Sequence, residues 1–214
     1  GEFEVKEKEE EIKQEPRGKR MRKLSADGWN VQYLGDRGDL EDIVQELNGD
    51  IQILVGTRRR YDPDIGAVQE ETLEKFHVLH WGCPWRDEGY SNDHTGITIA
   101  MKKKWIGKGA VQKIYTPPEK LRGRAGGVII KEEGMQVAPI GLYFPPSKKG
   151  QTKEDPPVDD LLAWLQEVLN DLADRGLPMI FLDGNAALGP AKEGEEFHAT
   201  EWYGKEGHAK VANY

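Results

Sequence analysis

Cysteine is nearly missing: Cys83 is the one thiol in 214 residues. A lone cysteine excludes an internal disulfide and any cysteine-rich zinc module, and it suits a reducing compartment. Long hydrophobic runs are missing too. No apolar stretch reaches the roughly 18 residues of a membrane span, and no charged-then-apolar leader opens the chain, so an intracellular chain with no membrane partner is expected. Positive charge is in deficit, with 30 Lys and Arg against 38 Asp and Glu for a net charge of −8. The overall field therefore does not capture nucleic acid, although local basic patches survive that argument. Residue 1 is Gly, as expected of a fragment or a processed chain.

What is present suffices for one domain of ordinary size: 37% hydrophobic residues, with six Trp and seven Tyr, can fill a core. The 32% charged residues are unevenly spread. Residues 1–23 hold EVKEKEEEIKQEP and RGKRMRK, too polar to offset their ordering entropy by burial, so a disordered tail is expected there and a folded domain over 24–214. Arg17, Lys19, Arg20, Arg22 and Lys23 read either as a nuclear-localisation or nucleic-acid patch or as a solvated linker.

From Leu24 onward short apolar runs alternate with Gly and Pro, the pattern of strands and helices in layers. Trp29–Leu34 reads as a first strand. Asp39 can cap a helix with Leu40, Ile43, Val44 and Leu47 on one face, and Ile51–Val55 follows as an all-apolar strand. That is a βαβ-like unit. Thr95–Met101, Gly127–Lys131 and Gln136–Phe144 are β-rich runs with no helix between them, which predicts antiparallel neighbours in a mixed sheet. A loop over 145–158 leads to a helix over Asp159–Asp174, capped by Asp159, with Leu161, Leu165, Val168, Leu169 and Leu172 inward. Met179–Asp183 reads as another buried strand. After Pro190 clear periodicity is lost.

Polar residues that follow an apolar strand sit where α/β folds place their sites. Asn30 lies beside the opening strand, and Asp183 and Asn185 leave the end of FLDGN. A carboxylate and a carboxamide so placed can hold a water and donate to a phosphate oxygen, although Asp-Gly-Asn is also an ordinary turn. Tyr143 in GLYFPP could hydrogen-bond a phosphate or close the core as an amphipathic aromatic. Lys102, Lys103, Lys104 and Trp105 could contact a DNA backbone and stack on a base, or form a solvated strand end. His77, His80 and Cys83, with Asp87 or Glu88 nearby, allow a zinc site or simply line a core. RGRAGG lacks the Gly-Lys-Ser/Thr of a phosphate loop.

Taken in order, WNV, DIQILVGTR, TGITIAM, GLYFPP and PMIFLDGNA resemble the endonuclease/exonuclease/phosphatase superfamily, and most of all the endonuclease domains of non-LTR retrotransposons. The resemblance covers about Leu24 to Gly189. It implies a four-layer α/β sandwich of DNase I-like type with mixed, largely antiparallel sheets. It implies a hydrolase that cleaves DNA phosphodiesters with Mg²⁺ or Mn²⁺ and no small-molecule cofactor. By this likeness Asn30 sits beside the metal, Tyr143 contacts the phosphate, Asp183 orients the attacking water and Asn185 stabilises the developing phosphoryl charge.

The sequence departs from the pattern where the metal should be held. Val55-Gly56 stand in place of the family's Gln-Glu, whose glutamate is the main metal ligand, and glycine has no donor. Glu70 and Glu71 look like a displaced copy of that motif. Gly141 and Leu182 replace an Asn and a Gly of the later motifs, and no Ser-Asp-His occurs; His198 and His208 do not follow an Asp. The expectation is a weak or inactive nuclease fold. A non-catalytic binding module and a small-molecule phosphoesterase are the alternatives. If closing strands are missing, the strand ending at Asp183 becomes an edge, and self-association is expected.

Overall fold

The computed structural model describes residues 24–34, 37–60, 64, 66–82, 95–132, 134–145 and 156–184. The charged tail over 1–23, the segment with Cys83, Asp87 and Glu88, and everything from Asn185 onward lie outside the described residues.

Two sheets stack at the centre. The first has five strands: β1 (Ala26–Asn30), β2 (Ile51–Val55), β3 (Gln69–Thr72), β4 (Phe76–Trp81) and β5 (Ile97–Lys102), in the order β1-β2-β5-β4-β3. The second has four, β6 (Val111–Tyr115), β7 (Ala125–Glu132), β8 (Met135–Tyr143) and β9 (Leu177–Asp183), in sequence order. Helix α1 (Arg37–Glu46) links β1 to β2, and α2 (Val158–Leu172) links β8 to β9. Both helix-linked pairs are parallel and every other pairing is antiparallel. That follows from the connections, since a parallel neighbour requires a crossover and an antiparallel one only a turn.

Alternation along the strands makes the layers. Ile51, Ile53, Val55, Ile97 and Ile99 of the first sheet meet Val128, Ile130, Val137 and Tyr143 of the second. Their neighbours point the other way: Leu54, Val78 and Ala100 meet Leu40 and Val44 of α1. Ile129, Ala138, Ile140 and Leu142 meet Leu161, Trp164, Val168 and Leu172 of α2. The order helix, sheet, sheet, helix is the expected four-layer α/β sandwich. Each aliphatic side chain so buried contributes about 1.5–3 kcal/mol. No helix among the described residues is long and apolar enough to cross a membrane.

Several sequence-based boundaries move. The first strand is Ala26–Asn30, not Trp29–Leu34: the Asn30 side chain accepts the Gln32 N–H, Gln32 adopts φ 55°, and the chain turns out of the sheet. Neither expected cap holds. Asp39 lies inside the first turn of α1, and Asp159 inside the first turn of α2 behind Pro157, where a carboxylate still complements the helix dipole. The run Thr95–Met101 joins the first sheet, so it is no neighbour of the two β-rich runs that follow. Met179–Asp183 is not the expected buried strand: among the described residues it pairs on one side only, and Ile180 and Leu182 are each 45% exposed. Strands β3, β4 and β6 were not read from sequence.

Candidate active-site rim

The strand ends Asn30, Val55 and Asp183 share one rim of the sandwich. Asn30 pairs in register with Val55, and Tyr143 with Asp183, so the C-terminal ends of β1, β2, β8 and β9 arrive together. Asn30 and Asp183 belong to different sheets, and the Asn30 amide donates to the Asp183 carboxylate across the gap. The amide orientation follows from its other partner. Asn30 Oδ1 lies 3.0 Å from the Gln32 N–H, which demands an acceptor, so Nδ2 faces Asp183. Tyr143 is 8% exposed and packs in the inter-sheet core with the Arg124 guanidinium 5.9 Å from its ring centre. Asn185 lies outside the described residues.

A second group of residues, not singled out in the sequence, completes the rim. The Thr57 N–H donates to Gly96 O at 3.2 Å, and the Arg58 N–H to Thr95 O at 2.7 Å. Leu34 N–H donates to Thr57 O at 2.9 Å, tying this turn to the loop beyond Asn30. Gly96 must be glycine: at φ 107° a Cβ would stand 2.4 Å from Thr57 Oγ1. Thr57 and Thr95 are almost wholly buried, yet neither hydroxyl has a hydrogen-bond partner among the described residues, and the same holds for Arg58 Nε. Buried polar groups are normally satisfied. Where the turn that follows β2 meets Thr95, two buried hydroxyls and the Arg58 Nε are thus without partners among the described residues. The sequence signal was there, polar Thr57-Arg58-Arg59 one glycine beyond an apolar strand.

Solved structures to which this chain is similar include the endonuclease domain of TRAS1, a telomere-specific non-LTR retrotransposon, with a TM-score of 0.35 and 14% identity over 70% of this chain and 52% of that one. TDP2 from C. elegans is similar at TM-score 0.46 and 13% identity, over 83% and 53% of the two chains. The AP endonuclease LMAP from Leishmania major is similar at TM-score 0.37 and 16% identity, over 69% and 46%. This chain spans about half the length of those structures. No protein-family model and no curated protein matches the sequence.

The donors at the rim can be tested against the cation that the motifs imply. Mg²⁺ takes oxygen ligands in near-octahedral geometry and is usually anchored by carboxylates. Here Asp183 supplies one carboxylate, Gly56 supplies no side chain, and the Asn30 oxygen already accepts from Gln32. Among the described residues no group of three or more His, Cys, Asp or Glu converges. The described donors therefore do not fit a tightly held Mg²⁺.

The displaced glutamates do not repair this. Both lie on β3, three strand spacings from β2 in the order β2-β5-β4-β3, or roughly 14 Å. Glu71 is engaged on the outer face with Arg59 at 2.8 Å and His80 Nε2 at 3.2 Å. Hydrogen bonding from His80, with Arg59 beside it, brings the Glu71 carboxyl down to about 2 from 4.5. Burial pushes the His80 imidazole below its usual 6.5. A neutral His80 donates through Nε2 to Glu71 and accepts the Thr98 hydroxyl at Nδ1, 2.8 Å away.

The zinc reading also fails on geometry. His77 and His80 are three apart on a strand, so their side chains take opposite faces, and Cys83 lies outside the described residues. Lys102, Lys103, Lys104 and Trp105 do not join the rim. β5 begins at the rim with Ile97 and ends with Lys102 roughly 17 Å away. There Lys102 Nζ donates to Asn48 O, Lys103 Nζ holds the Leu73 and Glu74 carbonyls, and Lys104 covers the Trp105 ring at 4.6 Å. They brace turns at the opposite end.

Proposed function

We propose that this chain is a divergent phosphodiester-binding domain of retrotransposon-endonuclease type, which takes DNA at the Asn30–Asp183 rim and hydrolyses it weakly or not at all. One observation carries the reading: Asn30, Tyr143 and Asp183, singled out in the sequence by their places at strand ends and by motif order, come to one rim from strands of two sheets. In this reading the Thr57 and Thr95 hydroxyls and Arg58 take the phosphate oxygens, and Tyr143 bounds the site from the core side. Asp183 holds a water, and Asn185 follows it in the loop. Weak hydrolysis follows from the single carboxylate, because Mg²⁺ or Mn²⁺ would be poorly held and would give little charge stabilisation.

That same deficit favours the second reading, a binding module that keeps the phosphate-contacting rim without the chemistry. Calorimetric titration of Mg²⁺ and Mn²⁺, with Asp183→Ala as control, separates the two. Cation binding lost in the variant, together with plasmid nicking by the parent chain, supports residual catalysis. DNA binding that weakens steeply with salt, with no cation binding, supports the module. A folded chain that binds neither DNA nor cation overturns both.

A further inference from the structure

The turn that carries Thr57 and Arg58 is held in two ways. Its backbone is tied by hydrogen bonds to Thr95, Gly96 and Leu34. Its next side chain, Arg59, runs back from the rim over the outer face of the first sheet. There Arg59 Nη1 donates to Glu71 Oε2 on β3 at 2.8 Å and lies 3.3 Å from His80 Nε2 on β4. Leu54, Thr98, His80 and Gln69 form one row across β2, β5, β4 and β3, one residue in from the rim row of Val55, Ile97 and Trp81. The Arg59, Glu71 and His80 side chains are 19%, 18% and 1% exposed, so the cluster is largely screened from water. The turn needs such an anchor. Gly56 at φ 68° and Arg58 at φ 54° are both left-handed, and at a residue other than glycine that conformation persists only where the surroundings impose it.

We propose that Glu71 is a positioning residue for the rim: through Arg59 it fixes the Thr57–Arg58 turn, and protonation of His80 releases the turn and with it the DNA. The DNA half of this statement rests on the function proposed for the rim. Among the described residues, the charged groups that meet His80 are Glu71 from β3 and Arg59 from the turn, and Thr98 from β5 takes its other ring nitrogen. Its neighbours on that face, Leu54, Val78 and Ala100, are apolar. While His80 is neutral, no second cation competes with Arg59 for Glu71 Oε2. A proton on the ring puts a positive charge 3.3 Å from Arg59, on the same carboxylate oxygen and with little water between. Burial resists that proton, so the turn is held at neutral pH and loosens on acidification below 6.5.

Gel shift with duplex DNA over a pH series, together with amide exchange, tests this on the full chain. Acidification makes an acidic chain less negative and ordinarily tightens its hold on DNA. The expected result has the opposite sign. Affinity of the parent chain should fall by about tenfold or more as pH drops below 6.5, the equivalent of one lost hydrogen bond to a charged group, and His80→Gln should abolish the fall. Glu71→Ala gives a second reversal: it deletes a negative charge, yet should weaken binding at neutral pH by a similar factor. Without DNA, the Thr57 and Arg58 amides, bonded to Gly96 O and Thr95 O, should exchange faster in Glu71→Ala while those of β2 and β5 keep their protection. Unchanged exchange at these two amides overturns the proposal, and so does a parent chain that binds DNA more tightly on acidification or as tightly after Glu71→Ala. A parent chain that binds no DNA at any pH overturns the reading of the rim instead, and the exchange result then decides the anchoring by Glu71.

Discussion

The Asn30 amide donates to the Asp183 carboxylate, and this one hydrogen bond ties β1 of one sheet to β9 of the other at the rim. Removing the donor leaves a half-buried carboxylate with less support. Asn30→Ala should cost about 1.5–3 kcal/mol, the range for hydrogen bonds to charged groups. Asn30→Asp should behave differently. Two carboxylates would face each other, destabilising the chain in chelator, and Mn²⁺ should restore the melt by supplying the opposite charge. Thermal unfolding with and without Mn²⁺ checks both, and an Asn30→Asp chain indifferent to the cation would contradict the placement of these two side chains.

Gly56 offers a complementary gain of function. It follows β2 at φ 68°, a left-handed conformation that costs other residues about 1–2 kcal/mol. Gly56→Glu should therefore lower stability by roughly that amount while adding a second carboxylate to the rim. Calorimetry should then register Mg²⁺ or Mn²⁺ binding stronger than in the parent chain, lost again when Asp183→Ala is added. Equal affinity in parent and variant would mean that position 56 does not face the cation.

How much was legible beforehand depended on whether a signal was local. The βαβ unit, α2 and the strand ending at Asp183 announce themselves through apolar periodicity within one segment. Asn30 and Asp183 could be named because each follows such a strand, but their contact spans 153 residues and no spacing encodes it. Strand β3 reads Gln-Glu-Glu-Thr, with no apolar alternation at all, and holds its place through pairing with β4 and the Glu71–Arg59–His80 contacts. Lys102–Lys104 misled for the opposite reason: strand direction decides which rim a strand end belongs to, and a basic run carries no direction.

The Glu71–His80 pair makes stability depend on pH, with two limbs of the same sign. Glu71 falls from 4.5 to about 2 on folding, so its contribution is complete above 4.5 and is lost as pH drops from there toward 2. His80 is also lowered from 6.5, by burial. Below 6.5 the unfolded chain takes up a proton that the folded chain resists, so stability declines there too. The melting temperature should be flat above about pH 7, fall gently below 6.5 and fall further below 4.5. His80→Gln should remove the upper limb, since its amide can still donate to Glu71 but does not titrate. Glu71→Gln should reduce the lower one, to which Asp171, held below its usual range by Lys113, Tyr115 and Arg175, also contributes.

Gly28 sets how closely β1 approaches β9. A Cβ at this position would come within 1.8 Å of the Phe181 ring, so Gly28→Ala must displace a large side chain of the inter-sheet core. Overpacking of this kind costs about 1–3 kcal/mol. Phe181→Ala alone should also destabilise, through the cavity it leaves. The double variant should be more stable than the sum of the two losses, because the methyl then enters space the ring has vacated. Asn30 and Asp183 lie two residues beyond Gly28 and Phe181, so spreading the strands should also loosen the Asn30–Asp183 contact. Gly28→Ala should accordingly weaken salt-sensitive DNA binding, with recovery in the double variant. Chemical denaturation and gel shift on the same four chains test packing and rim together; strictly additive losses would show that Gly28 and Phe181 do not set the spacing.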